Sequence, residues 1–409
     1  MVSRRLQIWW DDVHVAEIAA PRPWDLRIRF TSGALERWPT NTPVLSCSVP
    51  VQRRPIAASA FLKGLLPEGQ HLQALASVAG VATNDAFGLL RRYGRDVAGA
   101  LVITDDERRP DQTRWGIEPY DEDTWLAELA GLDDGALGVR PDSELSIAGL
   151  QNKLLLVSLD GGRWGRPIGG RPSTHILKVD DPRHPGLVAA EAECLRLARA
   201  AGVTDLEVER GQTGDIEWLI VPRYDRAVEL GVFRRVHQED ACQALGIDAD
   251  AHRGRAKYED AGGPSWSSVA ALLSVHAVDA EGQLVRLLDA AVFTLLIGNA
   301  DAHGKNLSLL HDTDGHIALA PLYDTVPTHL WPGLRRSPAM AVDGVRDFAA
   351  MGVDRLVREA GGWGLGGDRA RRAVTDLAER VRAEVGNVIQ RSDLAESIIA
   401  RADALLVEG

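Results

Sequence analysis

Lysine and cysteine are the scarce residues of this 409-residue chain: five of its 46 basic residues are lysines, and it has three cysteines. Cys47, Cys194 and Cys242 are odd in number and widely spaced, which excludes a disulfide framework and a zinc-finger spacing and fits a reducing compartment. No apolar run approaches the ~20 residues that span a bilayer. The opening MVSRRLQIWWDDVH reaches acidic residues before a signal-peptide core can form, so a cytoplasmic protein with no membrane partner is expected. Internal repeats and low-complexity tracts are lacking as well. A formal charge of −12 argues against a surface that coats nucleic acid as a whole, although a local basic patch stays compatible with it. A chain of this length exceeds a single core, so two or three packed lobes are expected.

Strand-like alternation marks RLQIWWDDVHVAEI and WDLRIRF, followed by helical FLKGLLPEGQHLQALASVAG and DAFGLLRRYG and a strand in AGALVIT. Residues 1–105 therefore read as a small α+β subdomain. Residues 106–143, rich in Asp and Glu with a helix near DTWLAELAGL, read as a connector. A strand-rich unit at 144–222 contains LSIAGLQNKLLLVSL, THILKVDD, the helix LVAAEAECLRLARAAG, LEVERG and EWLIVPRYDR. From 223 to 409 the pattern is mainly helical, through QEDACQALG, SSVAALLSVHAV and EGQLVRLLDAAVFTLLIGNA, interrupted by the short strands NLSLLHD and HIALAPLYD. The fold class is α+β: a strand-rich half, then a helical half, with polar clusters near the seam.

The densest cluster is GNADAHGKN, residues 298–306, directly after an apolar helix. Transfer of a phosphoryl group to a hydroxyl needs a carboxylate beside the attacking oxygen and oxygen ligands for magnesium. Asp301 and Asn306 have the D-x-x-x-x-N spacing with which protein kinases meet that need, and LYDTV supplies a second metal-binding candidate, Asp324, after a short hairpin. Asp and Asn are also common turn residues, and the helix before them and hairpin after them favour the functional reading. His303 and Lys305 lie on the same loop, within reach of phosphate oxygens. Upstream, Lys178 in THILKVDD is a strand lysine for phosphates, and Glu191 on the next helix is its candidate ion-pair partner. Pro222, Arg223 and Tyr224 of LIVPRYDR form a candidate hinge for adenine, where Pro222 offers no N–H. SIAGLQNK is too poor in glycine for a standard phosphate loop, yet small residues before Lys153 would let backbone amides approach phosphates; an ordinary tight turn is the alternative.

Taken in order, SIAGLQNK, THILKVDD, the Glu191 helix, VPRYDR, HQEDACQALG, KYEDAGGPS, LIGNADAHGKN and APLYDT resemble HipA-like serine/threonine kinases, the toxins of HipA/HipB toxin–antitoxin pairs. LSCSVPVQ, GLLPEG and YGRDVAGAL resemble that family's amino-terminal subdomain, and the resemblance covers roughly residues 5 to 385. It implies a two-lobed protein-kinase-like fold with a small added N-terminal subdomain and a mostly helical C-terminal lobe. It assigns the catalytic base to Asp301, magnesium to Asn306 and Asp324, and phosphate contacts to Lys178 and to Ala148, Gly149, Leu150, Gln151, Asn152 and Lys153. Nucleotide contacts fall to His303, Lys305, Tyr323 and Asp324, with Pro222, Arg223 and Tyr224 at the hinge. Ser146 matches a serine whose autophosphorylation ejects the loop and inactivates the enzyme. The implied cofactors are ATP and magnesium. Implied partners are a HipB-like helix-turn-helix antitoxin, operator DNA through that complex, and a protein substrate of the aminoacyl-tRNA synthetase class. Two positions depart from the family pattern: Pro222 replaces an acidic residue of several relatives, and QNK replaces the more usual QEK. The expected activity is a growth-arresting protein serine kinase. The alternatives are a small-molecule phosphotransferase of the antibiotic-kinase type and a catalytically idle subunit of a repressor complex.

Overall fold

The computed structural model describes residues 5–108, 110, 115–133, 153–229 and 232–408. Contacts divide the chain into two units that are each discontinuous in sequence: Met1–Arg183, Gly211–Ala249 and Leu310–Gly315 form the first, His184–Arg210, Asp250–Leu309 and His316–Gly409 the second.

In the first unit, β1 (Arg5–Trp10), β2 (Val13–Arg22), β3 (Asp25–Phe30), β4 (Ile56–Ala57) and β5 (Leu101–Thr104) form an antiparallel sheet in the order β4-β3-β2-β1-β5. Its hydrophobic positions, among them Leu6, Ile8, Ile18, Leu26 and Ile28, are fully buried in one core with Phe61, Leu62, Phe87 and Leu90 from the helices Ser59–Gly64 and Ala86–Tyr93. The helical run beginning FLKGLL is cut into Ser59–Gly64 and Gly69–Ala79, with Pro67 in the gap, because proline cannot donate a helix hydrogen bond.

A second antiparallel sheet carries β6 (Gly116–Pro119), β7 (Lys153–Leu159), β8 (Arg163–Ile168) and β9 (His175–Val179), with Ile216–Pro222 pairing on the far side of β9. One face is set by alternation: Leu154, Leu156, Leu177, Val179 and Ile220 are buried against Leu129 and Leu132 of the helix Glu122–Asp133. Between the sheets lies a buried ion network. Asp96 bonds Arg226 at 2.8 Å and Ser173 Oγ at 2.8 Å, Asp225 bonds Arg223 at 2.8 Å and Arg226 at 2.9 Å, and Arg235 approaches Asp96 at 3.9 Å. Residues 310–315 belong to this unit because Trp38 Nε1 donates to Thr313 O at 2.7 Å and His311 bonds Glu239 at 2.9 Å and Pro43 O at 2.8 Å. The helical reading of QEDACQALG needs correction: His237–Asp240 is a strand, and the helix begins only at Ala241, where Asp240 and Gln243 form a reciprocal capping box.

The second unit is mainly helical, with Leu187–Ala200, Trp266–His276, Ala280–Ile297, Val353–Gly362, Gly367–Val388 and Ser392–Glu408. In Gly367–Val388 the buried residues Ala370, Val374, Leu377, Ala378, Val381 and Val385 recur at three- and four-residue intervals, which lays one apolar stripe on the core. No helix among the described residues is long and apolar enough to cross a membrane.

Candidate active site

The site in the second unit begins with the helix Ala280–Ile297. Asp279 caps its start by accepting from Gly282 N at 3.0 Å, and its last eight residues are all buried. Gly298 ends it in the left-handed conformation, φ 69 and ψ 39, with Gly298 N bonded to Leu295 O and Asn299 N to Thr294 O. This is a Schellman turn, which satisfies the last carbonyls and aims the following loop. A Cβ at 298 would also fall 2.2 Å from His329 Nδ1, so both backbone and space call for glycine. The loop itself is pinned: Ala300 N donates to Thr328 Oγ1 at 2.8 Å, Asp301 N to Asn299 Oδ1 at 3.1 Å, His303 N to Asp301 O at 2.8 Å and Gly304 N to Lys257 O at 3.0 Å.

Asp301 is partly buried, and its carboxylate Oδ1 accepts a 2.7 Å hydrogen bond from the Tyr258 hydroxyl. Burial raises its pKa above the usual carboxylate range, and the charge of Asp324 adds to this, while Tyr258, Lys257 and Arg335 pull the other way. A carboxylate whose proton affinity is raised by a dry setting is suited to accept a proton from a hydroxyl. Asn306 donates from Nδ2 to Asp301 O at 3.1 Å, which commits its nitrogen and leaves its amide oxygen as a ligand. Asp324 sits at φ 56, a left-handed conformation that is unfavourable for aspartate, held by Asn299 Nδ2 and Val326 N, each 3.1 Å from its carbonyl. Backbone strain of this kind collects at functional sites. An amide oxygen from Asn306 and carboxylate oxygen from Asp324 are the hard donors magnesium takes, and a cation there relieves the opposition between Asp324 and Asp301; these residues fit the metal.

His303 and Lys305 are buried on the same loop, the His303 ring meeting the Tyr258 ring edge-on at 5.2 Å. The Tyr323 hydroxyl is engaged by the loop itself, donating to Lys305 O at 2.7 Å and lying 2.7 Å from Ser308 Oγ. Glu191 is fully buried on the helix Leu187–Ala200. Sequence reasoning missed Tyr258, Arg335, Asn299 and Thr328 as parts of the site. Tyr258 lies in KYEDAGGPS, one of the motifs that carry the resemblance, but nothing local told that Tyr258 reaches Asp301.

In the first unit, strand register places Lys153 of β7 directly opposite Lys178 of β9, on the face turned away from Leu154, Leu156, Leu177 and Val179. At the candidate hinge, Pro222 pairs with His175, and the Tyr224 hydroxyl donates to Gln238 Oε1 at 2.7 Å. Arg223 is committed: its backbone N–H bonds Thr174 O, and its guanidinium bonds Asp225, Asp96, Ser173 Oγ and Val97 O. Its N–H and guanidinium donors are all engaged within the first unit, which leaves its carbonyl for the backbone contact expected at the hinge. Ala148, Gly149, Leu150, Gln151, Asn152 and Ser146 lie outside the described residues.

Comparison with known proteins converges on one family. The HipA N-terminal domain matches residues 6–104 and the HipA-like C-terminal domain matches residues 145–385. The chain is 36% identical over 407 residues to the "Putative kinase Y4mE" of Sinorhizobium fredii, covering 96% of this chain and 94% of that protein. It is 31% identical to the serine/threonine-protein kinase toxin HipA of Shewanella oneidensis, covering 81% of this chain and 77% of that protein. The solved complex of Shewanella oneidensis HipA with HipB and operator DNA matches with a TM-score of 0.81 at 26% identity, covering 98% of this chain and 96% of that chain. Matched over both domains and sharing an α+β kinase-like fold, the chain belongs to the HipA-like family of toxin–antitoxin kinases, enzymes that transfer a phosphoryl group.

Proposed function

We propose that this chain is an ATP- and magnesium-dependent protein serine/threonine kinase that acts as a growth-arresting toxin in the cytoplasm. The observation that carries the reading is the Asp301 carboxylate, raised in proton affinity, on a loop that also holds Asn306 and faces the charge of Asp324. Asp301 accepts the proton of the attacking serine or threonine hydroxyl as that oxygen bonds to the γ-phosphorus of ATP and the bond to ADP breaks. Asn306 and Asp324 would hold magnesium, which supplies charge neutralisation at the phosphates when bound. The kinase pattern and the resemblance assign phosphate contacts to Lys153, Lys178, residues 148–152, His303 and Lys305, and assign Glu191 as the ion-pair partner of Lys178. Tyr323 supports Lys305, while Pro222 and Tyr224 border the adenine.

The resemblance extends the reading to regulation and partners. Phosphorylation of Ser146 by the enzyme itself adds about −1.5 to −2 charge beside a phosphate site and drives the loop out, which inactivates the kinase. The Shewanella complex supports a HipB-like helix-turn-helix antitoxin and, through it, operator DNA as partners. An aminoacyl-tRNA synthetase is the proposed protein substrate.

The test is intact-mass and peptide analysis of the purified chain incubated with ATP and magnesium, wild type beside Asp301→Ala. One phosphate on Ser146 is expected in wild type, and transfer is expected to fall by ~10²–10⁴-fold in the variant. A folded Asp301→Ala protein that phosphorylates itself at the wild-type rate removes Asp301 from the mechanism.

A further inference from the structure

The Tyr258 hydroxyl stands 2.7 Å from Asp301 Oδ1, and the segment that carries it is tied down by several hydrogen bonds within the second unit. Behind Tyr258 the chain folds back on itself: Ala261 N and Gly263 N both bond Tyr258 O, and Tyr258 N bonds Arg255 O. A Cβ at Gly263 would lie 2.6 Å from Ala256 O, so the fold-back requires glycine there. Next to it, Glu259 accepts from Ala341 N at 2.6 Å and pairs with Arg346 at 3.2 Å. The phenol ring is held on two sides, by His303 edge-on at 5.2 Å and by the Arg335 guanidinium over its face at 4.5 Å, and Arg335 is in turn fixed by Asp260 at 3.0 Å and Ser337 O at 2.7 Å. Finally, Lys257 O receives Gly304 N, which ties the segment to the loop of Asp301.

We propose that Tyr258 is a positioning residue for the base: its hydroxyl fixes Asp301 Oδ1 so that the second carboxylate oxygen is presented to the acceptor hydroxyl. The torsion that turns an aspartate carboxylate is soft and two-fold, so without a donor the two oxygens exchange and the productive orientation is held only part of the time. A phenol hydroxyl beside a carboxylate oxygen is the donor of the pair, so Tyr258 holds Asp301 Oδ1 and leaves the other oxygen to accept. The rigidity of the segment makes the constraint effective, because a donor that moved with the carboxylate would orient nothing.

The inference rests on Asp301 being the base, and the experiment separates the two. Autophosphorylation kinetics, the KM for ATP and thermal melting are measured for the wild type, Tyr258→Phe, Tyr258→Ala and Asp301→Ala. Phe retains the ring contacts with His303 and Arg335 and removes only the hydroxyl, so kcat is expected to fall about 10-fold with the KM for ATP and the melting temperature unchanged. Tyr258→Ala, which also loses the ring, is expected to lose stability as well. Tyr258→Phe at the wild-type kcat, with Asp301→Ala inactive, overturns the positioning role and leaves the base intact. A faster Tyr258→Phe enzyme also overturns it, since the phenol would then be blocking the acceptor's place. So does a Phe variant whose KM for ATP and melting temperature move along with kcat, which is the signature of packing alone. An Asp301→Ala protein as active as the wild type removes the premise itself.

Discussion

Replacing Asp96 by asparagine tests what holds the first unit together. Asp96 is 3% exposed and faces Arg226, Arg223 and Arg235, with Asp225 as the second carboxylate of the network. Three guanidiniums against two carboxylates leave the cluster positive by one charge, and Arg235 Nε finds no hydrogen-bond partner among the described residues. Burial alone would raise the pKa of Asp96, yet the three arginines hold it below the usual carboxylate range; burial also pushes Arg235 down to about 10. Asparagine keeps the shape and an acceptor for Ser173 but deletes the charge, so a second positive charge is left uncompensated in a dry site. Breaking a buried network in this way costs ~3–5 kcal/mol. At about 2–4 °C per kcal/mol for a unit of this size, the first melting transition should fall by roughly 6–20 °C. Scanning calorimetry reads the effect directly, and urea unfolding should show a lower midpoint at an unchanged slope. The partly exposed Arg166–Glu118 pair is the control, and Arg166→Ala there should shift stability by about 1 kcal/mol or less. A loss below about 2 °C for Asp96→Asn would refute the reasoning, because it would mean water or rearrangement already screens the network.

Gly298→Ala should destabilise the second unit by ~1–2 kcal/mol from the left-handed backbone alone, and the close approach to His329 should displace the loop that carries Asp301. Phosphoryl transfer is expected to drop by about 10²-fold, read by autophosphorylation, and normal activity in the variant would show that the Schellman turn does not aim the loop. Stability should also depend on pH. Burial, with help from Lys153, pushes His71 down to about 4, and burial does the same to His175. An unfolded chain protonates these histidines near pH 6.5 while the folded chain stays neutral until about pH 4, so stability falls as pH drops through that window. Melting temperatures at pH 7 and pH 5 check this, and a His71→Gln, His175→Gln chain should lose much of the difference.

Most of the elements and the whole chemical inventory were legible in the chain. The two-residue alternation of RLQIWW and THILKV gave strands at Arg5–Trp10 and His175–Val179, and the apolar run before GNADAHGKN gave a helix ending at Gly298. These are local signals, because side-chain direction repeats with a short period and a helix must end where a left-handed residue stops it. The order of motifs identified the family, and the resemblance made Asp301, Asn306 and Asp324 the candidates for base and metal ligands. What the tertiary structure decided is everything that depends on register and on distant partners. Lys153 meets Lys178 only because β7 and β9 pair without a one-residue slip, which would put the two on opposite faces. Tyr258 reaches Asp301 from 43 residues away, and the side chain of Arg223 is drawn into a buried network with Asp96, 127 residues distant. QEDACQALG reads as helix, yet its first residues extend the strand His237–Asp240 in a buried setting, where packing overrides the weak preference of a short segment. Hydrogen bonds and ion pairs between distant residues leave no period in the chain, since either partner alone is an ordinary polar residue, and only folding brings the two within reach.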